Sequence, residues 1–139
     1  MKTIQGWRFN NSYTLLPEVL YSKQSPVPVS SPKLVVFNEI LAQTLNLEYS
    51  QVSAQTLSEV FSGNNLPEGA TPIAQAYAGH QFGHFTILGD GRAILLGEQL
   101  STDDRRWDIQ LKGAGRTIYS RGGDGRAALG PMLREYMMS

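Results

Sequence analysis

Glycine is distributed very unevenly along this chain of 139 residues, and its distribution limits the possible folds more than any other feature. Eleven of the fourteen glycines lie between Gly79 and Gly130. Because glycine weakens the interiors of helices and strands but permits tight turns, this region predicts short elements joined by turns and loops. The lack of side chains also lets a ligand approach the backbone. The region therefore contains either a ligand-binding loop or a series of glycine-rich hairpin turns.

The charge changes sign along the chain, although the formal net charge is zero. Residues 1–104 carry five Lys or Arg and nine Asp or Glu, whereas residues 105–139 carry seven and three. A basic segment rich in glycine favours a phosphate-sized anionic ligand, but a solvated basic face beside hairpin turns explains the same composition. The excess is small, and apart from Trp107 and Tyr119 the segment lacks aromatic residues interleaved with its cations. Nucleic-acid binding is therefore not expected.

Composition excludes several classes of protein. The chain has no cysteine, which rules out disulfides, thiol catalysis and cysteine-ligated zinc. No apolar run approaches the ~18 residues that cross a bilayer, so no membrane contact is expected. The N-terminal sequence MKTIQGWRFNN has no signal or transit peptide pattern, and we expect a cytoplasmic protein of bacterial type. His80 and His84 are four residues apart, but adjacent glycines disfavour the helix that would align them, so no metal site is expected.

The first half of the chain predicts an extended segment followed by two helices. Residues 1–32 alternate apolar and polar positions and then become proline-rich, which disfavours helix. Ser31 and Pro32 are typical of a helix start. The first helix is predicted to follow them, with an apolar face of Leu34, Phe37, Leu41 and Leu45. A second helix is predicted over residues 53–62 and ends at Gly63.

The second half predicts a sheet. Residues 72–83 are predicted to be turn-rich. The segments FTIL and AILLGEQL flank LGDGR, whose Asp-Gly step favours a tight turn, so a hairpin is predicted over residues 85–99. Alternation in WDIQLK predicts a strand over residues 107–112 that pairs antiparallel with the hairpin, with Lys112 on the face toward residues 89–92. The predicted fold class is α+β, with a mostly antiparallel sheet and flanking helices.

A loop and a helix follow that strand. The loop GAGRTIYSRGGDGR contains five glycines and three arginines. Gly130 and Pro131 then favour a helix start, and the apolar stripe of the helix consists of Met132, Leu133, Tyr136 and Met137. No stop signal precedes Ser139, so we expect a fragment of a longer protein. Exposure of the stripe at Leu133, Tyr136 and Met137 would favour self-association.

Standard phosphate-binding motifs do not match. A dinucleotide fingerprint requires Gly or Ala where Ile118 stands, and Lys112 precedes its glycines instead of following them as in a P-loop. What remains is a Gly-Asp-Gly turn, a strand ending in Lys112, a glycine- and arginine-rich loop, and a helix bearing Glu135. The upper lobe of a protein kinase has this order, with the lysine on the phosphates and the glutamate orienting it. An ordinary surface lysine and glutamate would give the same pattern.

Five blocks in sequence carry a more specific signal: PIAQAYAGHQFGHF, LGDGRAILLGE, WDIQLKGAGRT, YSRGGDGRAAL and LREYMMS. Together they resemble the N-terminal part of the selenoprotein O family, which consists of kinase-like protein adenylyltransferases. The resemblance is dense from Pro72 to Ser139 and looser before Pro72. It departs from the commonest form of the family at Ile118 and over residues 130–132. Family members are several times longer than this chain.

The resemblance implies a truncated N-terminal lobe of a protein-kinase-like fold that binds ATP in an inverted orientation. With Mg²⁺, AMP is then transferred to Ser, Thr or Tyr hydroxyls of protein substrates. Residues 1–71 would form an N-terminal extended segment with helices, and residues 72–139 the nucleotide-binding part. Glu135 matches the residue that orients the phosphate-contacting lysine. The matching nucleotide contacts are Gly89, Gly91, Arg92, Lys112, Asp124 and Gly125.

The same resemblance implies that this chain holds no catalytic base and no metal ligand. In the family the catalytic aspartate and the magnesium-binding residues lie downstream of the matched part. We therefore expect the chain alone to be inactive and to bind ATP weakly. The alternative is a non-catalytic, pseudokinase-like module that binds nucleotide or phosphate, since the residues that distinguish the two lie beyond Ser139.

Overall fold

The computed structural model describes residues 3–81 and 83–138. Within them, two 3-10 turns at Tyr13–Leu15 and Glu18–Leu20 precede five strands and three helices. The predicted extended character of residues 1–32 is thus interrupted by short turns. The strands are β1 (Tyr21–Lys23), β2 (Ile73–Gln81), β3 (His84–Gly89), β4 (Ala93–Leu100) and β5 (Arg106–Lys112), and the helices are α1 (Glu39–Thr44), α2 (Ala54–Phe61) and α3 (Leu129–Met138).

The strands form a sheet in the order β1-β2-β4-β5, and β3 pairs with β2. Every pairing within the described residues is antiparallel. The predicted α+β class with an antiparallel sheet is therefore confirmed. None of the helices in residues 3–81 and 83–138 is long and apolar enough to cross a membrane.

Strands β3 and β4 follow one edge of β2 in succession, with an interruption between them. Gly89 lies opposite Ala76, and Leu95 lies opposite Ile73. The chain therefore takes six residue steps from Gly89 to Leu95, while β2 takes three from Ala76 to Ile73. The extra residues, 90–92, leave the ladder as a bulge. A bulge bends the strand and turns its backbone away from the sheet. Here it lies next to the end of β5.

Two predictions for this region are wrong. The hairpin over residues 85–99 does not form, because within the described residues β3 and β4 each pair with β2 and not with each other. Residues 72–83 were expected to be turn-rich but contain β2, which pairs with β1, β3 and β4. An Asp-Gly step is compatible with a hairpin turn and with a bulge, so the pairing partners decide between them.

The prediction for β5 is confirmed. Ala93 lies opposite Lys112 and Leu100 opposite Arg106, so β5 pairs antiparallel along the full length of β4. The predicted alternation is present, since Leu111 is buried while Lys112 is exposed. Lys112 therefore lies on the solvent side at the end of an edge strand.

Of the two helices predicted in the first half of the chain, one is confirmed and the other begins later than predicted. Helix α2 is confirmed: the Ser53 side chain accepts a hydrogen bond from the Thr56 N–H at 3.1 Å. Helix α1 begins later than predicted, because Asn38 caps it by accepting from the Leu41 N–H at 2.9 Å. The predicted apolar face is wrong, since Leu41 is exposed and Leu34 packs on the core from outside the helix.

Helices α1 and α2 pack against one face of the sheet. Half-buried Trp107 and Ile109 of β5 pack against a cluster made of buried residues from the N-terminal segment, α1, α2 and the connection between them. Ile94 and Leu96 of β4 continue this layer toward Leu111. The members of the cluster are Ile4, Ala42, Leu45, Leu47, Leu57 and Val60.

A smaller apolar cluster lies on the opposite face of the sheet. It contains Tyr21, Ile73 and Leu95, with Tyr13 packed against it. Leu95 points away from Ile94 because successive side chains of a strand face opposite sides. The residues around Tyr13 therefore cross the same face of the sheet that carries Lys112.

Gln99 attaches the N-terminal segment to β4. Its side chain is 0% exposed. The side-chain carbonyl accepts from the Arg8 N–H at 2.8 Å, and the side-chain amide donates to the carbonyls of Gly6 at 2.9 Å and Leu45 at 3.1 Å. A buried amide with partners on both ends fixes the position of the segment.

Glu98 makes a second attachment beside it. Its carboxylate accepts from the Ser12 hydroxyl at 2.7 Å, the Tyr13 N–H at 2.8 Å and Arg106 Nη1 at 3.3 Å. Burial raises the pKa of Glu98, but these hydrogen bonds and the Arg106 charge outweigh burial and hold the pKa below its ordinary value. Glu98 and Gln99 are called the anchor pair below.

Candidate functional site

An open cleft lies beside the bulge, at the end of β5. Its volume is about 910 Å³, and its walls come from β2 and β3, the bulge, the end of β5 and the loop that follows β5. All the residues that the resemblance implies as nucleotide contacts line it together. They are Gly89, Gly91, Arg92, Lys112, Asp124 and Gly125.

Asp90 supports the bulge from the side of β2. Its N–H donates to the Gln75 carbonyl at 2.9 Å, and its Oδ2 accepts from the Gln75 N–H at 3.0 Å. Both backbone polar groups of Gln75 are thus paired although the ladder is interrupted. Asp90 is 7% exposed. Burial raises the pKa of Asp90, while the hydrogen bond from Gln75 acts in the opposite direction.

Residues 117–120 support the bulge from the other side. The Thr117 hydroxyl donates to the Asp90 carbonyl at 2.5 Å, and the Ser120 hydroxyl donates to the Gly91 carbonyl at 2.6 Å. A Cβ at position 89 would lie 2.3 Å from Tyr119 Cγ, which is far inside van der Waals contact. Packing therefore requires glycine at position 89 independently of any ligand.

Lys112 and Glu135 form an ion pair at the cleft. Lys112 Nζ lies 2.7 Å from both Glu135 carboxylate oxygens. The side chains are 42% and 56% exposed, respectively. An exposed pair contributes only ~0–1 kcal/mol to stability, so its main effect is to fix the position of the ammonium group. The ion pair expected from the kinase-like order is present.

Asp124 and Gly125 form the far wall of the cleft. Asp124 Oδ1 accepts from the Arg126 N–H at 2.9 Å, a local contact typical of a turn. Gly125 has φ +73°, and a Cβ there would lie 2.0 Å from the Gly115 carbonyl oxygen. Glycine is therefore required at this position by the backbone contact between the two parts of the loop.

The exposed charge of the cleft is mainly positive. Asp90 is buried against Gln75, whereas the cations lie toward solvent. Within residues 3–81 and 83–138, the N–H groups of Gly91 and Arg92 donate no hydrogen bond. Backbone N–H groups together with cations bind phosphate oxygens. The cations that line the cleft are Arg92, Lys112, Arg121 and Arg126.

Comparison with known proteins identifies the family of this chain. The family model described as protein adenylyltransferase SelO matches residues 4–139. The chain belongs to the SelO family. The match confirms the resemblance carried by the five sequence blocks, and it extends into the first seventy residues.

The SelO-family relatives are bacterial proteins named protein nucleotidyltransferase YdiU. The relative from Brevibacillus brevis is 62% identical over 134 residues, which is 96% of this chain and 27% of the relative. The relative from Nitrosococcus oceani is 61% identical over 134 residues, with the same coverage of both chains. The relative from Clostridium beijerinckii is 59% identical over 139 residues, or 100% of this chain and 28% of the relative. The chain therefore spans little more than a quarter of the length of these relatives.

The described part of this SelO-family chain contains no group of three or more His, Asp or Glu side chains that could hold a metal ion. His80 lies opposite Phe85 and Gln81 lies opposite His84. Because neighbouring positions of a strand face opposite sides, the two histidines lie on opposite faces of the β2–β3 ribbon. They are not placed to share a ligand.

The supports of the bulge were not found from the sequence. Asp90 lay inside the predicted hairpin turn, and Gln75 lay inside a segment predicted to be turn-rich. Thr117 and Ser120 were part of a loop to which no internal structure was assigned. A hydroxyl residue at each end of TIYS is compatible with a local turn, but only the fold places that turn against the bulge.

Proposed function

We propose that this chain is the nucleotide-contacting part of a protein adenylyltransferase that transfers AMP from ATP to Ser, Thr or Tyr hydroxyls of other proteins. The observation that carries the proposal is the Lys112–Glu135 ion pair at a glycine-lined, cationic cleft in a SelO-family chain. Nucleotidyl transfer depends mainly on positioning and on neutralising phosphate charge. The residues of this cleft are suited to both tasks.

Each cleft residue has a part in this proposal. Lys112 contacts the phosphates as a cation, and Glu135 holds its ammonium group in one place. Gly91 and Arg92 offer backbone N–H groups to the phosphate oxygens, and the Arg92 side chain adds positive charge. Asp124 and Gly125 form the opposite wall.

The described residues do not offer a complete set of magnesium ligands. Of the two carboxylates lining the cleft, Asp90 is buried against Gln75 and Asp124 accepts from Arg126. Neither belongs to a group of three ligands in the described residues. We therefore derive no step through a metal from these side chains. In this proposal the magnesium ligands and the catalytic base belong to the part of the family's length that this chain does not cover.

The proposal includes the organisation of the chain. Residues 72–139 are assigned to nucleotide contact, as part of the N-terminal lobe of a kinase-like fold. Residues 1–71 are assigned to support, because the anchor pair and the pairing of β1 with β2 hold this segment against the sheet. Support of this kind keeps the cleft-forming strands in register.

The test is transfer of labelled AMP from ATP to protein, using the protein at the full length of the family. We expect transfer by the wild type, loss of transfer in Lys112→Ala, and wild-type transfer in Lys33→Ala. Lys33 is an exposed lysine that does not line the cleft, which makes it a matched control. Transfer at the wild-type rate in Lys112→Ala would contradict the assigned role.

The alternative function gives a different result in the same experiment. A non-catalytic nucleotide-binding module would bind ATP in calorimetry and transfer no AMP in the wild type. The 139-residue chain assayed alone is expected to transfer no AMP and to bind ATP weakly, because half of a cleft leaves the base solvated. Tight, magnesium-dependent binding with self-labelling by the chain alone would overturn that assignment.

A further inference from the structure

We propose that Asp90 is a positioning residue for the phosphate-binding bulge, and that Thr117 and Ser120 complete the clamp. The proposal rests on the proposed function, because it concerns how that cleft is held in its binding conformation. The Asp90 carboxylate accepts from Gln75 of β2 and its carbonyl accepts from Thr117 of the loop, so its assigned role is to position its neighbours Gly91 and Arg92.

The bulge needs support because it leaves the sheet. Residues 90–92 have no counterpart in the ladder, and their conformation is not fixed by strand pairing. Without other contacts, the N–H groups of Gly91 and Arg92 would sample many directions, and binding a phosphate would then cost conformational entropy. A clamp that fixes the bulge in advance lowers this cost.

Asp90 provides the first side of the clamp. Its carboxylate takes the place of a ladder carbonyl for the Gln75 N–H, at 3.0 Å, while its own N–H donates to the Gln75 carbonyl at 2.9 Å. This reciprocal contact attaches the first bulge residue to β2. At 7% exposure, Asp90 is largely shielded from solvent in this contact.

Thr117 and Ser120 provide the second side. Their hydroxyls donate to the carbonyls of Asp90 and Gly91, two consecutive residues of the bulge, at 2.5 Å and 2.6 Å. The two residues also bind each other, since the Thr117 N–H donates to the Ser120 hydroxyl at 2.8 Å and the Ser120 N–H to the Thr117 carbonyl at 3.1 Å. This turn holds the carbonyls of Asp90 and Gly91, while the N–H groups of Gly91 and Arg92 donate no hydrogen bond among the described residues.

The third bulge residue is held by β5. The Gly113 N–H donates to the Arg92 carbonyl at 2.6 Å. Because Gly113 follows Lys112 directly, this contact joins the bulge to the strand that carries the phosphate-contacting lysine. All three bulge carbonyls therefore accept hydrogen bonds from neighbouring backbone or hydroxyl donors. The clamp fixes Gly91, Arg92 and Lys112 relative to one another.

The experiment compares Asp90→Asn with Asp90→Ala in the protein at full family length, measuring KM for ATP and kcat in AMP transfer. Asparagine retains an oxygen that accepts from the Gln75 N–H, whereas alanine does not. We expect Asp90→Ala to raise KM for ATP about tenfold, the effect of leaving a buried donor unpaired. We expect Asp90→Asn to remain near the wild-type KM, and kcat to change less than KM in both.

Asp108→Asn is the matched control, because Asp108 is exposed on β5 and does not line the cleft. If Asp90→Asn raises KM for ATP as much as Asp90→Ala does, the carboxylate charge itself acts on ligand or metal, and the positioning role is wrong. Wild-type KM in Asp90→Ala would also overturn the proposal. Wild-type protein that transfers no AMP contradicts the proposed function instead, and calorimetric Mg-ATP affinities of the same variants then test the clamp alone.

The second side of the clamp keeps the proposal testable if Asp90→Ala does not fold. Thr117→Val and Ser120→Ala each remove one hydroxyl donor to a bulge carbonyl, and each is expected to raise KM for ATP about fivefold. Thr117→Ser keeps the hydroxyl donor and is expected to have the wild-type KM for ATP. Wild-type KM in both Thr117→Val and Ser120→Ala would contradict the clamp.

Discussion

The two ends of β4 carry polar clusters of opposite character. The anchor pair, Glu98 and Gln99, lies near the C-terminal end, and its polar atoms are paired with backbone and side-chain groups of the N-terminal segment. The cleft cations lie at the N-terminal end, where Lys112 is opposite the first residue of the strand. The Glu98 side chain is 8% exposed and that of Lys112 is 42% exposed.

This difference in burial indicates that the anchor pair stabilises the fold, whereas the cleft cations are available for binding. Buried polar groups with all partners in place fix a structure, and losing one partner leaves another unpaired in the interior. Half-exposed cations contribute little to folding but remain accessible to an anion. Substitutions at the two ends of β4 should therefore affect different measurements, and the following predictions test that separation.

The largest effect is expected on activity at Lys112. Removing one preorganised donor to the charge that develops in a transition state costs about 10²–10³-fold in rate, and we expect Lys112→Ala to lower kcat/KM of AMP transfer at least that far. The melting temperature should stay nearly unchanged, because the exposed ion pair contributes only ~0–1 kcal/mol. Thermal unfolding measured beside the transfer assay checks both statements. A Lys112→Ala protein that is unfolded, with full activity in its soluble remainder, would make the lysine structural.

The opposite pattern is expected at Gln99. Replacement by methionine keeps the volume but leaves the Arg8 N–H and two carbonyls without their partner, at a cost of about 3 kcal/mol in the free energy of unfolding. Urea denaturation measures this loss. Gln51→Met is the control, since Gln51 is exposed, and it should stay within about 0.5 kcal/mol of the wild type. Equal stabilities for the two variants would refute the anchoring role.

A smaller effect is expected at Glu135. Glutamine retains one hydrogen bond to Lys112 but removes the charge, so Glu135→Gln should reduce kcat/KM of transfer by about tenfold while unfolding stays within ~1 kcal/mol of wild type. Glu68→Gln changes an exposed glutamate away from the cleft and serves as the control. If both variants are fully active, the ion pair has no part in positioning the lysine.

The smallest effect is expected in the dependence of stability on pH. The pKa of Glu98 in the folded protein is held below its ordinary value of 4.5, so ionised Glu98 favours the folded state above that pH. This stabilisation is lost as the pH falls from about 4.5 through the lower folded-state pKa. Glu98→Gln removes the ionisation, and its stability should fall less than that of the wild type over the same range. Parallel curves of unfolding free energy against pH would contradict this.

Asp90 is expected to act in the opposite sense, because burial raises its pKa. Ionisation of Asp90 therefore lowers the free energy of unfolding as the pH rises from the ordinary pKa of 3.8 to the raised pKa of the folded protein. Above the raised pKa this loss of stability stays constant. Asp90→Asn should gain stability relative to the wild type across that range. Unfolding free energies of the two proteins at pH 3 and pH 7 measure the difference, and a relative loss toward pH 7 would contradict the assignment.

Local signals in the sequence were sufficient where neighbours along the chain decide the structure. The alternation of WDIQLK predicted β5 because one of its faces packs on the core, and Ser53 predicted the start of α2 because capping is a contact over three residues. Local signals failed where distant partners decide. Asn38 starts α1 where Pro32 was expected to, and the small residues of β2 form a strand because three other strands pair with it.

In the candidate site, too, some features could be predicted from the sequence and others depend on distant partners. Six of the residues lining the cleft were identified from a family resemblance, and the structure brings these six together from three separate parts of the chain. The Lys112–Glu135 pair joins residues 23 positions apart, so no local pattern could predict its geometry. The Asp90 clamp was missed because a Gly-Asp-Gly step does not reveal whether its aspartate faces solvent or a neighbouring strand.

Hydrogen–deuterium exchange of the protein at full family length, with and without Mg-ATP, tests the central claim most directly. The cleft is predicted to bind nucleotide, so protection on adding Mg-ATP should occur in peptides covering residues 85–93, 110–116 and 120–126. Peptides covering residues 4–12 and 95–101, around the anchor pair, should not change, and Lys112→Ala should lose the protection. Protection by ATP that leaves the cleft peptides unchanged, or that persists in full in Lys112→Ala, would contradict the account.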